Sequence, residues 1–170
     1  SPSELQVTEA GKVLIGGMVA DLTLASRAGS HAKLTISGPG SKVELVAADG
    51  ASDDRTVSIG SYNSTSASTT EQHASVLIED GGLLSAGNVA IGRADGNTIG
   101  DVVVTGAGSQ LMVSSVSSFH NSTLTIEHGS LTIENGALLH TQLLSLRPGD
   151  GDVIGNADLR IRGNTTSVKI

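Results

Sequence analysis

Two seven-residue segments follow one another almost unchanged in the second half of the chain: LTIEHGS at residues 124–130 and LTIENGA at residues 131–137. A related segment, VLIEDGG, lies at residues 76–82. A second phrase, LTISGPGS at residues 34–41, returns as VVVTGAGS at residues 102–109. Repetition of this kind is typical of chains that wind as a stack of similar turns, and it restricts the possible folds more than any other feature of the sequence.

The length of the repeated segment indicates how such a turn is built. Each segment holds a short strand and a corner, which is too little for a hairpin that folds back in register. We therefore expect each heptapeptide to form one face, and about three faces to complete a turn of roughly 20–25 residues. The Gly-x-Gly-Ser phrase begins at Gly38 and again at Gly106, a separation that we interpret as about three turns. The Ile-Glu-x-Gly phrase begins at Ile78 and again at Ile133, which does not fit the same multiple, and we attribute the mismatch to a polar insertion at residues 61–74.

Alternation with a period of two predicts which side chains point inward. No stretch carries the 3.6-residue apolar periodicity of a helix, so the chain is predicted to be all-β. Inward orientation is expected for Leu34, Ile36, Val57, Ile59, Val89, Ile91, Leu124, Ile126, Leu131 and Ile133. Outward orientation is expected for Thr35, Ser58, Thr125, Thr132, Arg160 and Arg162.

The composition fits a narrow aliphatic core. Of the 170 residues 38% are hydrophobic, yet Tyr62 and Phe119 are the only aromatic residues, so Val, Ile, Leu and Ala must fill the interior. The 22 glycines fit frequent tight turns. We expect residues 1–170 to form one stack of about seven turns, spaced by the strand separation of about 4.8 Å, with exposed strand edges at both ends.

The charge of the chain excludes two classes of partner. The formal net charge is −7, whereas nucleic acids and anionic membranes are bound by positively charged surfaces. Side chains that stack on bases are almost missing as well. We therefore predict no nucleic-acid binding and no membrane contact by this segment. Because the sequence has no cysteine, it offers neither a disulfide framework nor a thiolate metal site.

The repeated phrases resemble the repeats in the passenger domains of bacterial autotransporters, the proteins of type V secretion. The resemblance is carried by NVAIG at residues 88–92, DVVVTGAGSQL at residues 101–111 and LTIENGALL at residues 131–139, and it covers about residues 32–146. It implies a right-handed parallel β-helix (a β-solenoid) at the bacterial cell surface, either anchored to the outer membrane or secreted. It also implies that the 170 residues are a segment of a longer passenger whose parent carries a C-terminal outer-membrane barrel.

The function that the resemblance implies is adhesion or self-association, as in cell aggregation and biofilm formation. The partners would be host molecules, molecules on neighbouring cells, or further copies of the chain. Two alternatives stay open: a passive spacer stalk and a carbohydrate-active enzyme built on a β-helix.

The predicted binding element is the insertion at residues 61–74, because function in solenoids concentrates where the repeat is interrupted. Its candidate binding residues are Tyr62, Asn63, Glu71 and His73. We predict no catalytic residue, no metal ligand and no cofactor, and therefore no enzymatic activity.

Three glutamates offer a pattern that an enzyme could use. Glu79, Glu127 and Glu134 share one position of the repeat, immediately after the last inward isoleucine. Glycosidases need two carboxylates at a fixed separation. The favoured interpretation is nevertheless an exposed acid at a corner, repeated because the repeat itself recurs.

Two further segments resemble metal sites only superficially. His128 takes the place that Asp80 and Asn135 hold in sister repeats, so it is predicted to be a corner residue and not a metal ligand. The segment PGDGD at residues 148–152 is predicted to be a turn in preference to a calcium site, since it lacks the repeating pattern of calcium-binding β-rolls.

Overall fold

The computed structural model describes residues 3–17, 21–25, 29–47, 55–60, 71–93, 98–114, 121–147 and 156–170. Every regular element in these ranges is a β-strand, as predicted. No helix within them is long and apolar enough to cross a membrane. The strands are β1 (Ser3–Val7), β2 (Lys12–Gly17), β3 (Leu22–Leu24), β4 (His31–Ser37), β5 (Lys42–Ala47), β6 (Thr56–Ile59), β7 (Gln72–Glu79), β8 (Leu83–Ala86), β9 (Asn88–Ile91), β10 (Thr98–Thr105), β11 (Gln110–Val113), β12 (Thr123–Ile126), β13 (Gly129–Glu134), β14 (Leu138–Thr141), β15 (Leu143–Leu146), β16 (Ala157–Arg162) and β17 (Ser167–Lys169).

The strands form three parallel sheets that the chain visits in a fixed order. Sheet A contains β1, β4, β7, β10, β13 and β16; sheet B contains β2, β5, β8, β11, β14 and β17; sheet C contains β3, β6, β9, β12 and β15. Every third strand therefore returns to the same sheet, one level further along the stack. The described strands give six levels in two sheets and five in the third, which does not confirm the predicted seven turns.

The core consists of aligned aliphatic columns. Parallel pairing places inward residues of successive levels side by side, so the interior is continuous along the stack. All ten residues predicted to point inward are at most 1% exposed. Of the residues predicted to face solvent, four lie half-buried on the outer faces of their sheets, and Arg160 and Arg162 are exposed. The period-two prediction is confirmed.

Each turn is longer than predicted. Each of the two repeated phrases recurs after two turns, and we call each such pair of phrases an echo. Leu34 pairs with Val76 in the next level, and Val76 pairs with Val102 in the level after that, so the phrase at Leu34 and its echo at Val102 are two turns apart. In the same way Ile78 pairs with Val104, and Val104 pairs with Ile133, so these two positions are also two turns apart. The interpretation of the first separation as three turns is therefore wrong.

The mismatch between the two echoes comes from one long turn. The turn between β4 and β7 contains the predicted insertion, and it belongs to the first echo but not to the second. The two separations therefore differ because of the turn that contains this insertion, as predicted. The prediction that the first separation spans three turns is still wrong.

The echoes span two turns because the corner between sheets A and B alternates between two forms. In the first form two consecutive residues have positive φ, as at Asp80 (52°) and Gly81 (87°). In the second form a residue with a hydroxyl group follows glycine: Ser109, which is buried, follows Gly106 and Gly108, whereas Thr166, which is half-buried, follows Gly163 alone. The hydroxyl of each second-form corner accepts a backbone N–H of the first-form corner before it: Ala10 to Ser41 (3.1 Å), Gly81 to Ser109 (3.0 Å) and Gly136 to Thr166 (3.3 Å).

Other contacts link each second-form corner to the first-form corner that follows it. Ser37 Oγ donates to Asp80 Oδ2 at 3.4 Å, and at the equivalent place Asn135 Nδ2 donates to Thr105 Oγ1 at 2.9 Å. The backbone contributes a further bond, in which Leu83 N–H donates to the Ser41 carbonyl at 3.0 Å. The two repeated phrases are thus complementary halves of one stacked corner.

Both ends of the stack present strands with a single neighbour, as predicted. Within the described ranges, strands β1, β2 and β3 pair only with the level above them, and β15, β16 and β17 pair only with the level below them. Among the described residues, the inward-facing Leu5 is 40% exposed at the first end, and Ile161 is 51% exposed at the last end. These positions are exposed because no level among the described residues covers them.

The insertion ends earlier than predicted. Residues 61–70 lie outside the described residues. Glu71 is exposed, but Gln72, His73 and Ala74 are the first residues of β7 and pair with β4 and β10. Gln72 and Ala74 are fully buried, so the segment alternates as a strand does. The assignment of residues 72–74 to a loop was wrong because polar side chains hid this alternation.

Candidate binding surface

Four polar side chains meet on the outer face of sheet A, on strands next to the predicted insertion. His31 lies in β4, His73 in β7, Asp101 in β10 and Ser130 in β13. Outward residues of neighbouring parallel strands lie side by side. The register places His31 next to His73 and Asp101 next to Ser130. We call these four residues the His–Asp cluster.

Asp101 is the centre of the cluster because it has a contact on each side. Its Oδ2 lies 2.8 Å from His73 Nε2, and its Oδ1 accepts the hydroxyl hydrogen of Ser130 at 2.5 Å. The rings of His73 and His31 have centroids 6.5 Å apart and are tilted by 55°. The side chains of His73 and Asp101 are 37% and 38% exposed, so water screens their contact and a partner can reach both groups.

The order of these contacts does not fit a nucleophilic triad. In such a triad the hydroxyl bonds to the histidine, and the histidine bonds to the carboxylate. Here Ser130 donates to Asp101, so His73 has no hydroxyl proton to take. The part of the chain that the structure describes also holds no group of three His, Asp or Glu side chains placed to bind a metal ion. The arrangement offers hydrogen-bond donors and acceptors to a polar partner.

Ion pairs extend the polar row towards both ends of sheet A. Lys33 Nζ lies 3.2 Å from Glu4 Oε1. Hydrogen bonds from the Gln6 amide and from Lys33, together with the charge of Lys33, lower the pKa of the Glu4 carboxyl. At the other end Arg160 contacts Asp158. The His–Asp cluster therefore lies between two ion pairs on this face.

Of the two predicted binding residues that the structure describes, His73 belongs to the cluster and Glu71 does not. Glu71 lies just before β7 and is exposed, while Tyr62 and Asn63 lie outside the described residues. Sequence reasoning did not select the other three members of the cluster. Asp101 carries a weak signal, since it begins the alternating segment 101–105, but the register pairs it with Ser75, and His73 reaches it diagonally from two residues earlier in β7.

The three glutamates of the repeat do not form a carboxylate pair. Glu79 and Glu134 lie in one outward row of sheet A, where Thr105 separates them. Glu127 follows β12 and lies at the corner between sheets C and A. All three therefore lie at a corner or at the strand end before one, as predicted, but they are half-buried and not exposed.

The structure confirms that His128 is a corner residue but places it at a different corner from the one predicted. It lies between β12 and β13, at the corner from sheet C to sheet A. Asp80 and Asn135, its counterparts in sequence, lie at the corner from sheet A to sheet B and have positive φ. Residues 148–152, the predicted turn, fall outside the described ranges.

A double-mutant cycle measures how strongly the cluster is coupled. We expect His73→Ala and Asp101→Ala each to lower the free energy of unfolding by about 0.5–1.5 kcal/mol, with a coupling energy of about 0.5–1 kcal/mol, because the pair is partly hydrated. Urea denaturation of the two single variants and the double variant gives these values. Additive effects would show that the 2.8 Å contact contributes nothing to stability.

The chain matches no family model, no curated protein and no solved structure in comparisons with known proteins.

Proposed function

We propose that the chain is a segment of a surface-displayed passenger of the autotransporter type, acting in adhesion or self-association. The finer fold in this proposal is a right-handed parallel β-helix. Support for the handedness comes from the general rule that parallel strands joined by a crossover connection form right-handed units in about 98% of cases. Under this proposal the chain lies on the outside of a bacterial cell.

The proposed function rests on the accessible polar groups on the outer face of sheet A. The His–Asp cluster extends there over four consecutive strands, His73 lies at the start of the strand that follows residues 61–70, and the central groups are accessible. A stack holds such groups at a fixed spacing of about 4.8 Å, so it can present them to a partner without a large loss of conformational entropy. Many weak contacts between displayed copies or with a host surface then add up to avidity.

Display on cells tests this proposal. The chain is fused to an outer-membrane anchor, and cell settling and adhesion to host cells are measured for the wild type and for His73→Ala/Asp101→Ala with residues 61–70 replaced by a Gly/Ser linker. We expect binding to fall at least about tenfold, because the altered groups form the contact surface.

The control carries Thr125→Ala and Ser58→Ala on the outer face of sheet C, with display levels matched by antibody labelling. We expect this control to bind as the wild type does. Full binding by the sheet A variant would contradict the proposal and favour the spacer. Equal loss in both variants would show that the face of sheet A has no special role.

A further inference from the structure

The outer face of sheet B carries three large apolar side chains in the middle of the stack. Leu83 of β8, Met112 of β11 and Leu138 of β14 alternate with buried neighbours, so they point away from the core, and all three are half-buried. In the register of the sheet, Gln110 lies between Leu83 and Leu138, and Met112 lies diagonally next to both leucines. All the described strands belong to the three sheets around one core, so none of them covers this apolar patch.

Glu44 and Lys169 lie on the same face at equal distances from β11. Both belong to the outward row of Met112, Glu44 two levels before it in β5 and Lys169 two levels after it in β17. Glu44 is half-buried, and Lys42 Nζ lies 2.5 Å from its Oε2, whereas Lys169 is exposed. The row therefore has an acid on one side of β11 and a base on the other.

A two-fold axis that runs along β11, between two copies of the chain, brings complementary side chains together. Such an axis keeps each outward row opposite the same row of the second copy, and it reverses the order of the levels. Leu83 of one copy then faces Leu138 of the other, and Met112 faces its own counterpart. Glu44 of each copy faces Lys169 of the other. Within these two rows no two like charges face each other.

Other positions of the axis are less favourable. An axis midway between β11 and β14 places Leu138 opposite Gln110, and one midway between β8 and β11 places Leu138 opposite Lys42. Both registers cover apolar side chains with polar ones, and both separate Glu44 from Lys169. The face therefore favours a single register over its neighbours, which is what a specific contact requires.

The size of the face indicates a weak contact. Five levels take part in it, those of β5, β8, β11, β14 and β17. With strands about 4.8 Å apart and sheets packed at the usual separation of about 10 Å, the two faces bury on the order of 1,000 Å² in total. Specific interfaces begin near this size, so we expect a dissociation constant on the order of 100 µM.

We propose that the outer face of sheet B binds the same face of a second copy of the chain, in an antiparallel dimer with its two-fold axis at β11. Two-fold contacts are the commonest kind between identical chains. The contact lies on the side of the stack and needs neither the first level nor any level beyond the described ones. Sheet A of both copies stays accessible in such a pair, so the pair presents two His–Asp clusters and gains avidity. This contact is a separate surface from the His–Asp cluster, and it holds whether or not sheet A binds a partner.

Single cysteines test the axis directly, because the chain has no cysteine of its own. Purified variants are treated with a short bifunctional thiol reagent, and the rate of dimer formation is measured on denaturing gels. The control is Thr125→Cys on the outer face of sheet C, where Thr125 is half-buried as Met112 is. We expect Met112→Cys to cross-link to itself at least about tenfold faster than this control, because its counterpart faces it in the dimer.

Leu83→Cys and Leu138→Cys distinguish the antiparallel register from any other. In its own dimer each new cysteine faces a leucine, so each variant alone should cross-link slowly, and their mixture should cross-link rapidly. Self-linking of either variant at the rate of the mixture would overturn the proposal. A rate for Met112→Cys no higher than that for Thr125→Cys would overturn it as well.

Charge reversal tests the contact without a reagent. Sedimentation equilibrium is measured for the purified chain from about 10 µM to about 1 mM, the range in which a weak dimer forms. We expect Glu44→Lys and Lys169→Glu each to weaken the dimer about tenfold, because attraction becomes repulsion at two symmetric sites. The double variant Glu44→Lys/Lys169→Glu should recover, since the ion pairs are rebuilt with their signs exchanged. A wild type that stays monomeric at about 1 mM, or a double variant that does not recover, contradicts the proposal.

The variant His73→Ala/Asp101→Ala serves as the control on sheet A. It should dimerise as the wild type does, and circular dichroism should show that every variant is folded. Loss of the dimer in this variant would assign the contact to sheet A and overturn the proposal for sheet B. Full cell binding by the sheet A variant, with the dimer intact, contradicts the function proposed above and leaves the sheet B contact supported.

Discussion

Leu131→Asp is expected to unfold the stack around β13, with a loss of about 5 kcal/mol or more in the free energy of unfolding. Leu131 is fully buried in the column between Val102 and Leu159, so the new carboxylate would have no water and no cation beside it. Burial of an unpaired charge costs more than most single substitutions, and it consumes much of the roughly 5–15 kcal/mol that stabilises a typical domain. Urea denaturation followed by circular dichroism measures the loss.

The control for this substitution is the neighbouring Thr132→Asp, which introduces the same side chain one residue further on. Thr132 faces outward, and in sheet A it aligns with Val103 and Arg160. We expect a change of less than about 1 kcal/mol, because the carboxylate stays hydrated and lies beside a cation. Similar losses for the two variants would mean that residue 131 does not point into a core, which would contradict the period-two pattern itself.

Each level of the stack contacts only its neighbours, so the effect of Leu131→Asp should be graded along the chain. Amide hydrogen exchange should show the greatest loss of protection in β10, β13 and β16, which share the damaged column. The levels of β1 to β6 should keep more of their protection. Uniform loss along the whole chain would show that the stack unfolds as a single cooperative unit.

The tandem heptapeptides made most of the fold predictable. Their first and third residues, Leu124, Ile126, Leu131 and Ile133, are fully buried as expected, and the two segments provide strands of two different sheets. This success has a simple physical cause. Alternation in a strand depends only on local geometry, so it can be read without knowledge of distant contacts.

The length of a turn was less predictable because it depends on corners that vary in length. The turn from Leu34 to Val76 is much longer than the turn from Val76 to Val102, although each joins neighbouring residues of sheet A. Similar heptapeptides also occupy different corners: the one that contains His128 passes from sheet C to sheet A, and the one that contains Asn135 passes from sheet A to sheet B. A short repeat therefore identifies a strand and a corner, but not which corner it is.

The candidate surface was the least predictable part. The polar segment at residues 61–74 predicts His73 as a binding residue, yet its partner Asp101 lies on the next level of the stack, and Ser130, which contacts Asp101, lies on the level after that. Only the lateral register brings these side chains together. Outward positions are also less restricted than inward ones, since a solvated face accepts many side chains. The sequence therefore carries a strong signal for the column behind the cluster and a weak one for the cluster itself.

Gly129→Ala is expected to lower the free energy of unfolding by about 3 kcal/mol or more, although it adds a single methyl group. Gly129 begins β13 with φ at 135°, a conformation that side chains of L-residues rarely adopt. A Cβ atom there would lie 1.8 Å from the carbonyl oxygen of Gly100, on the neighbouring strand. Neither backbone can move away without breaking bonds to its own neighbours, because Gly100 N–H donates to the His128 carbonyl and Gly129 N–H donates to the Asn156 carbonyl.

The comparison with Gly108→Ala separates this collision from the strain of a positive φ. Gly108 has φ at 84°, but a Cβ atom there would meet its nearest neighbour, Gly81 Cα, at 3.5 Å, an ordinary contact. We expect Gly108→Ala to cost only about 1 kcal/mol, the penalty of the left-handed conformation. Thermal and urea denaturation of both variants gives the difference. Equal losses would show that the backbones of β10 and β13 can separate at this corner, and the close approach of these two strands of sheet A would then not be what requires glycine at position 129.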